Sequence, residues 1–193
     1  MNWQIILNPY TRFSEKQLLV VGVLSSIVGC LIASTVGITY DGLLDVHLRS
    51  GMTFQIAVQE NSIIIILIAL ILFIYGKVIN SKTRFIDVLN SCLLFRIPLY
   101  LSALLTSIPI IKNLEEEVMR NINSLDKINL QPLDLIGLFF ISTLLIVLLL
   151  YSIVLLFYGF KTATNAKKTV HYIGFGIIIL LAEVVSKIVL SLI

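Results

Sequence analysis

Three residues carry charge where a membrane-crossing segment should be apolar: Arg96, Glu183 and Lys187. A charged side chain near mid-bilayer costs roughly 2.5–3.5 kcal/mol on insertion scales, so it needs a partner or a function. Counting from the starts of their spans at 1.5 Å per residue, Arg96 lies about 15 Å in and Glu183 about 18 Å in. Both spans run in the same direction in a five-span arrangement. The matched depth predicts an Arg96–Glu183 pair between helices, with Lys187 competing for the carboxylate one turn further out. The local alternative is a Glu183–Lys187 pair along one helix, with Arg96 binding carbonyls freed by Pro98.

Other constellations are weaker. Asp41, Asp45 and His47 are hard or borderline ligands with no second set around them. They are read as a solvated turn, and no metal site is assigned. The run 115–120, Glu-Glu-Glu-Val-Met-Arg, fits the Glu-Glu-x-x-x-Arg pattern of intramembrane CAAX-type proteases. Those enzymes also need histidines in contexts that His47 and His171 do not offer. There is no Gly-x-Ser-x-Gly, no phosphate-binding glycine loop and no His-Glu-x-x-His. The expectation is no catalytic residue and no cofactor.

The elements that must position these charges follow from composition. The chain has 193 residues, 58% of them hydrophobic and only 13% charged, with a mean hydropathy of +1.02. Soluble domains carry about 25% charge. The predicted fold is all-α: one polytopic domain over 1–193, a bundle of five spans at about 18–38, 62–79, 86–111, 133–158 and 171–193. The net charge of +3 is then read by position along the chain and gives no argument for nucleic acid. Cys30 and Cys92 fall inside apolar runs and read as packing residues.

The segment before the first span carries Trp3, Tyr10 and Phe13, rings that favour the headgroup level. Asn8-Pro9 should break any helix begun at Trp3. Ile27-Val28-Gly29-Cys30 matches a lipoprotein cleavage pattern, but 18–38 is longer than a signal core of about 7–15 residues, which predicts a retained span. Span 1 has small residues at every fourth position, Ser25, Gly29, Ala33 and Gly37, beside a second row of Gly22, Ser26, Cys30 and Ser34. Such faces let backbones approach closely, either against another span of this chain or in a homodimer. Span 2 is nearly pure Ile and Leu and is expected to face lipid.

Span 3 is the unusual one. Asp87, Ser91, Pro98, Ser102 and Pro109 cluster within about 60° on a helical wheel. They give one polar, kinkable face, read as a packing face toward the small residues of span 1. Arg96 lies on the opposite side. The third loop places Leu114, Val118, Ile122 and Leu125 at helical spacing among charges, which predicts an amphipathic helix on the membrane.

With the N-terminus inside, Arg12, Lys16, Lys77, Lys82, Arg84, Lys161, Lys167 and Lys168 are cytoplasmic and Arg49, Lys112, Arg120 and Lys127 are outside. Eight basic residues against four predict N-in and C-out.

This layout resembles the Yip-one domain family, five-span proteins named as interactors of Rab-type GTPases. The resemblance rests on Asn8-Pro9-Tyr10-x-x-Phe13 before span 1, the five spans, and the basic entry Lys82-Thr83-Arg84-Phe85-x-x-x-Leu89 to span 3. The chain is most similar to short bacterial members. It lacks the long cytosolic region with the Asp-Leu-Tyr-Gly-Pro motif of eukaryotic members, so Rab binding is not carried over. The resemblance implies a non-enzymatic scaffold or trafficking-like protein of a bacterial inner membrane. Its partners would be the bilayer, other membrane proteins or a second copy. The competing expectation is a small transporter or channel subunit that uses the intramembrane charges.

Overall fold

The computed structural model describes residues 3–120 and 131–192. Asn8-Pro9 acts as the sequence predicts. Helix α1 (Trp3–Leu7) stops at Asn8, and one 3₁₀ turn, Pro9–Thr11, follows. Tyr151 holds this segment to the bundle by donating to the Ile6 carbonyl at 2.9 Å. Ser14 and Gln17 then form a reciprocal capping box that starts α2 (Glu15–Val36), satisfying donors that a helix start leaves free. Gly37, at φ 78°, ends α2 in the left-handed region, where a side chain would be strained.

Two residues of strand on either side, β1 (Ile38–Thr39) and β2 (His47–Leu48), pair antiparallel and tie off the first loop. Helix α3 (Phe54–Ile79) begins eight residues before the expected start at 62, because Thr53 caps it. Span 3 is two helices, α4 (Phe85–Leu94) and α5 (Ile97–Thr106), separated at Phe95-Arg96. Pro98 supplies no backbone donor to the preceding turn, which accounts for a break just before it.

Pro109 lies outside span 3. It opens α6 (Pro109–Arg120), so it is no part of that span's polar face. In α6, Leu114 and Val118 are half-buried and Asn113 is exposed, the pattern of an amphipathic helix. Ile122 and Leu125 lie outside the described residues. Helix α7 (Pro132–Thr164) and helix α8 (Thr169–Ser191) complete the chain. Five segments are long and apolar enough to cross a membrane: α2, α3, α4 with α5, α7 and α8. The protein is an all-α polytopic bundle.

Its centre is span 3, which packs on α2, α3 and α7. Of the five spans it alone is mostly buried. The small residues of α2 explain how closely span 1 approaches. A methyl group on Gly22 would lie 2.6 Å from Leu93 Cβ, and one on Gly29 would overlap the Tyr100 ring. The partners of the small rows are therefore Leu93, Leu94 and Tyr100, whereas Ser91 packs on Gly159 of α7.

Span 2 departs from the expected lipid-facing helix. Ala57, Asn61, Ile64, Ile65, Ile68, Ala69, Leu72 and Gly76 form a buried stripe. A uniform Ile/Leu composition has no polar contrast to mark that face. The barer helix is α7, whose first half exposes Leu133, Ile136, Phe139, Phe140 and Val147.

The packing at Gly159 gives a test. Gly→Ala within a helix normally gains up to about 1 kcal/mol. Gly159→Ala should instead lower the melting temperature in detergent, because the new methyl would meet Ser91 and lie 2.8 Å from Tyr10 Cζ. Gly176→Ala, with nothing within 4 Å, should leave the melting temperature equal or higher.

Candidate functional site: a buried arginine beneath an aromatic cap

Arg96 sits at the break in span 3 and has no solvent exposure. Its guanidinium carbon lies 5.2 Å from the ring centroid of Tyr40, 5.9 Å from that of Phe95 and 5.9 Å from that of Tyr100. None of its three side-chain nitrogens has a hydrogen-bond partner among the described residues. Cation–π contacts of desolvated groups are worth about 2 kcal/mol. Unpaired burial of an ion costs several kcal/mol. The rings therefore offset part of the penalty and leave a strained charge in the core.

The rings are themselves fixed by polar atoms. Tyr40 donates to the Gly29 carbonyl at 3.1 Å. The Tyr100 hydroxyl bridges Ser26 Oγ at 3.2 Å and Asn61 Oδ1 at 3.0 Å. The two rings meet edge to face at 5.3 Å, a favoured aromatic geometry. Burial pushes the Tyr40 hydroxyl well above the ordinary phenol value, while the Arg96 charge pulls it the other way. Tyr40 thus stays a neutral donor.

Tyr40 comes from the first loop, which is less solvated than its composition suggests. Ile38, Tyr40 and Leu43 are fully buried and Met52 nearly so. The loop folds over the end of the bundle as a cap. Two ion pairs and two hydrogen bonds hold it. Arg49 pairs with Glu60, which also accepts from Thr39 Oγ1 at 2.6 Å. Lys187 pairs with Asp45. Glu183 accepts from the Leu44 amide at 3.0 Å.

This cap decides the predicted charge pair. Span 5 packs on span 2, and Glu183 is engaged by the Leu44 amide and by Lys187 at 3.6 Å. No ion pair joins Glu183 to Arg96 among the described residues. Depth matching located both charges along their helices, but nothing in the sequence placed the first loop at Glu183. Gly42 makes the approach possible: a methyl there would lie 2.5 Å from Glu183 Oε1.

The Asp41, Asp45 and His47 side chains do come together, within 4.8 Å of one another. Side chains of the protein already engage the two carboxylates, His47 Nδ1 at 2.8 Å from Asp41 and Lys187 on Asp45. At the opposite end of the bundle Asp87 pairs with Arg84 at 2.6 Å. Ser102 is buried and donates to the Leu99 carbonyl at 2.7 Å. Sequence reasoning missed Tyr40, Tyr100 and Asn61. The available signal for Asn61 was a lone amide heading an unbroken Ile/Leu run.

No family model, curated protein or solved structure matches this chain.

Replacing a buried, unpaired ion by an apolar side chain of similar volume is often neutral or stabilising. Arg96→Met should therefore be at least as stable as wild type in thermal denaturation. With Glu183→Gln it should combine additively within about 0.5 kcal/mol, as expected for sites that share no contact. A larger coupling would mean that the two charges meet.

Proposed function

We propose that the protein is a non-enzymatic membrane scaffold or organisation factor of the Yip-one type, resident in a bacterial inner membrane with its N-terminus inside. The observation that carries this reading is the sealed state of the intramembrane charge. Arg96 is fully buried under Tyr40 and Tyr100, and neither Arg96 nor Glu183 lines any of the three described cavities. A solute path built on these charges would need to wet them. The exposed apolar half of α7 offers a helix face for lipid, another membrane protein or a second copy. The eight-to-four distribution of basic residues supports the orientation.

One observation favours the alternative, a small transporter or channel subunit. Helices broken at membrane depth with a charge at the break are typical of transport sites, and span 3 has that form.

The two readings part in reconstituted vesicles and in cells. For a scaffold, proteoliposomes should show no ion or solute flux above empty vesicles, in wild type and in Arg96→Met alike. Crosslinking from cysteines placed at Phe139 or Val147 should capture membrane proteins or a second copy. Flux that disappears in Arg96→Met would establish transport instead.

A further inference from the structure

At the end of the bundle where spans 2 and 4 finish and spans 3 and 5 begin, two short loops meet. Asn80 joins them. Its Nδ2 donates to the Thr164 carbonyl at 3.2 Å, and its Oδ1 accepts from the Lys82 amide at 3.0 Å. The approach is close, since a methyl on Gly76 would lie 3.0 Å from Thr164 Cγ2. Both sides of this junction carry lysines. Lys77 and Lys82 come from the end of α3 and the loop after it, and Lys161, Lys167 and Lys168 from the end of α7 and the loop after it. All but Lys161 are exposed. Among the described residues none of the five pairs with a carboxylate. Glu15 and Asp87, the acids that start spans 1 and 3, are both taken by Arg84, at 2.7 and 2.6 Å. The first turn of α8, which follows Lys168, holds no acid.

Two of the lysines are held in place. Lys77 Nζ lies 5.4 Å from the Phe73 ring centroid and donates to the Ser81 carbonyl at 2.8 Å. Lys161 Nζ lies 5.5 Å from the Tyr172 centroid, and the Tyr172 hydroxyl is anchored on the Ala166 carbonyl at 2.9 Å. An ammonium has three donors, so both keep donors for an anion from outside. Next to the lysines the surface turns apolar. Ile74 and Val78 of α3 are 65% and 79% exposed, Val170 and Ile173 of α8 are 72% and 60% exposed, and α3 packs on α8. A soluble polyanion makes no use of such a strip. A lipid uses both parts, with phosphate on the lysines and acyl chains along the apolar side chains.

We propose that the two joined loops bind the headgroup of a lipid that carries two phosphates, of the diphosphatidylglycerol type, with one phosphate on the lysines of each loop. Basic clusters at a membrane surface attract anionic headgroups in general. The selectivity here comes from the junction at Asn80, which presents two basic sets to one headgroup, so that binding the first phosphate makes the second contact intramolecular. A lipid with a single phosphate engages one set at a time. The proposal rests neither on the scaffold reading nor on the side of the membrane that this end faces.

The test is lipid retention by the purified full chain in detergent, read by native mass spectrometry. Diphosphatidylglycerol competes with twice its molar amount of phosphatidylglycerol, with identical acyl chains, so that phosphates and chains are matched. The expected result is a preference for diphosphatidylglycerol of about tenfold. Lys82→Gln and Lys168→Gln, one on each loop, should each lower it about threefold to fivefold. Both positions are exposed, so these variants keep the fold. Arg12→Gln combined with Lys16→Gln removes two charges at the start of span 1, outside the two loops, and should lower the preference less than about twofold. Asn80→Ala keeps every charge but unties the loops, and should lower it at least about threefold. The lysine variants decide the question even where Asn80→Ala fails to fold. Inorganic pyrophosphate, added in a thermal-shift assay, should leave the melting temperature unchanged. Equal retention of the two lipids would overturn the proposal, as would a preference unchanged in either lysine variant. An equal loss in the Arg12/Lys16 variant would reduce the effect to general charge and overturn it too. Stabilisation by pyrophosphate without a lipid preference would assign the site to a free diphosphate instead.

Discussion

A guanidinium inside a membrane bundle constrains everything around it. Arg96 has no solvent exposure, so the fold must surround its guanidinium. Here the surroundings are the faces of Tyr40, Phe95 and Tyr100. Each ring then needs its own support. Tyr40 requires the first loop to fold inward and reach the Gly29 carbonyl. Tyr100 requires Ser26 and Asn61 on two other spans. Gly29 has no side chain because the Tyr100 ring occupies that space. Gly29 and Ser26 of span 1, the capping loop and Asn61 of span 2 all meet the rings that surround one buried charge.

The ionic contacts at the loop end follow from the same arrangement. A loop that buries Ile38, Tyr40 and Leu43 presents its remaining polar residues at the rim. Asp45 and the Leu44 amide meet Lys187 and Glu183 there. These residues lie far apart in sequence, and their contact fastens span 5, which also packs on span 2 and, through Phe175, on Phe157 and Phe160 of span 4. Exposed ion pairs are individually weak. Their role is to hold the lid over Arg96 in register more than to add stability.

The two ends of span 3 have different chemistry because its two halves differ. Helix α4 starts in a network of Glu15, Arg84, Asp87 and Asn90 at the bundle end. Helix α5 starts just after Arg96, in the buried interior. The break before Pro98 lets each half present its own polar group to a different set of neighbours. The polar residues of span 3 therefore fall into two clusters, one at an edge of the bundle and one at its core.

The sequence by itself determined the architecture: five apolar segments, the N-terminal break at Asn8-Pro9, the small face of span 1 and the irregularity of span 3. These rest on local quantities, namely run length, spacing and the backbone chemistry of proline and glycine, which act on residues close along the chain. It also singled out Arg96 and Glu183, because a charge in an apolar run is conspicuous whatever surrounds it. Only the tertiary structure decided what each charge touches. Arg96 meets the Tyr40 ring from a loop more than fifty residues earlier, and Glu183 meets a backbone amide of that loop. A backbone amide has no sequence signature, and an Ile/Leu helix shows no contrast between its buried and lipid-facing sides. Partner choice depended on how the first loop closed over the bundle, a long-range event that no local pattern records.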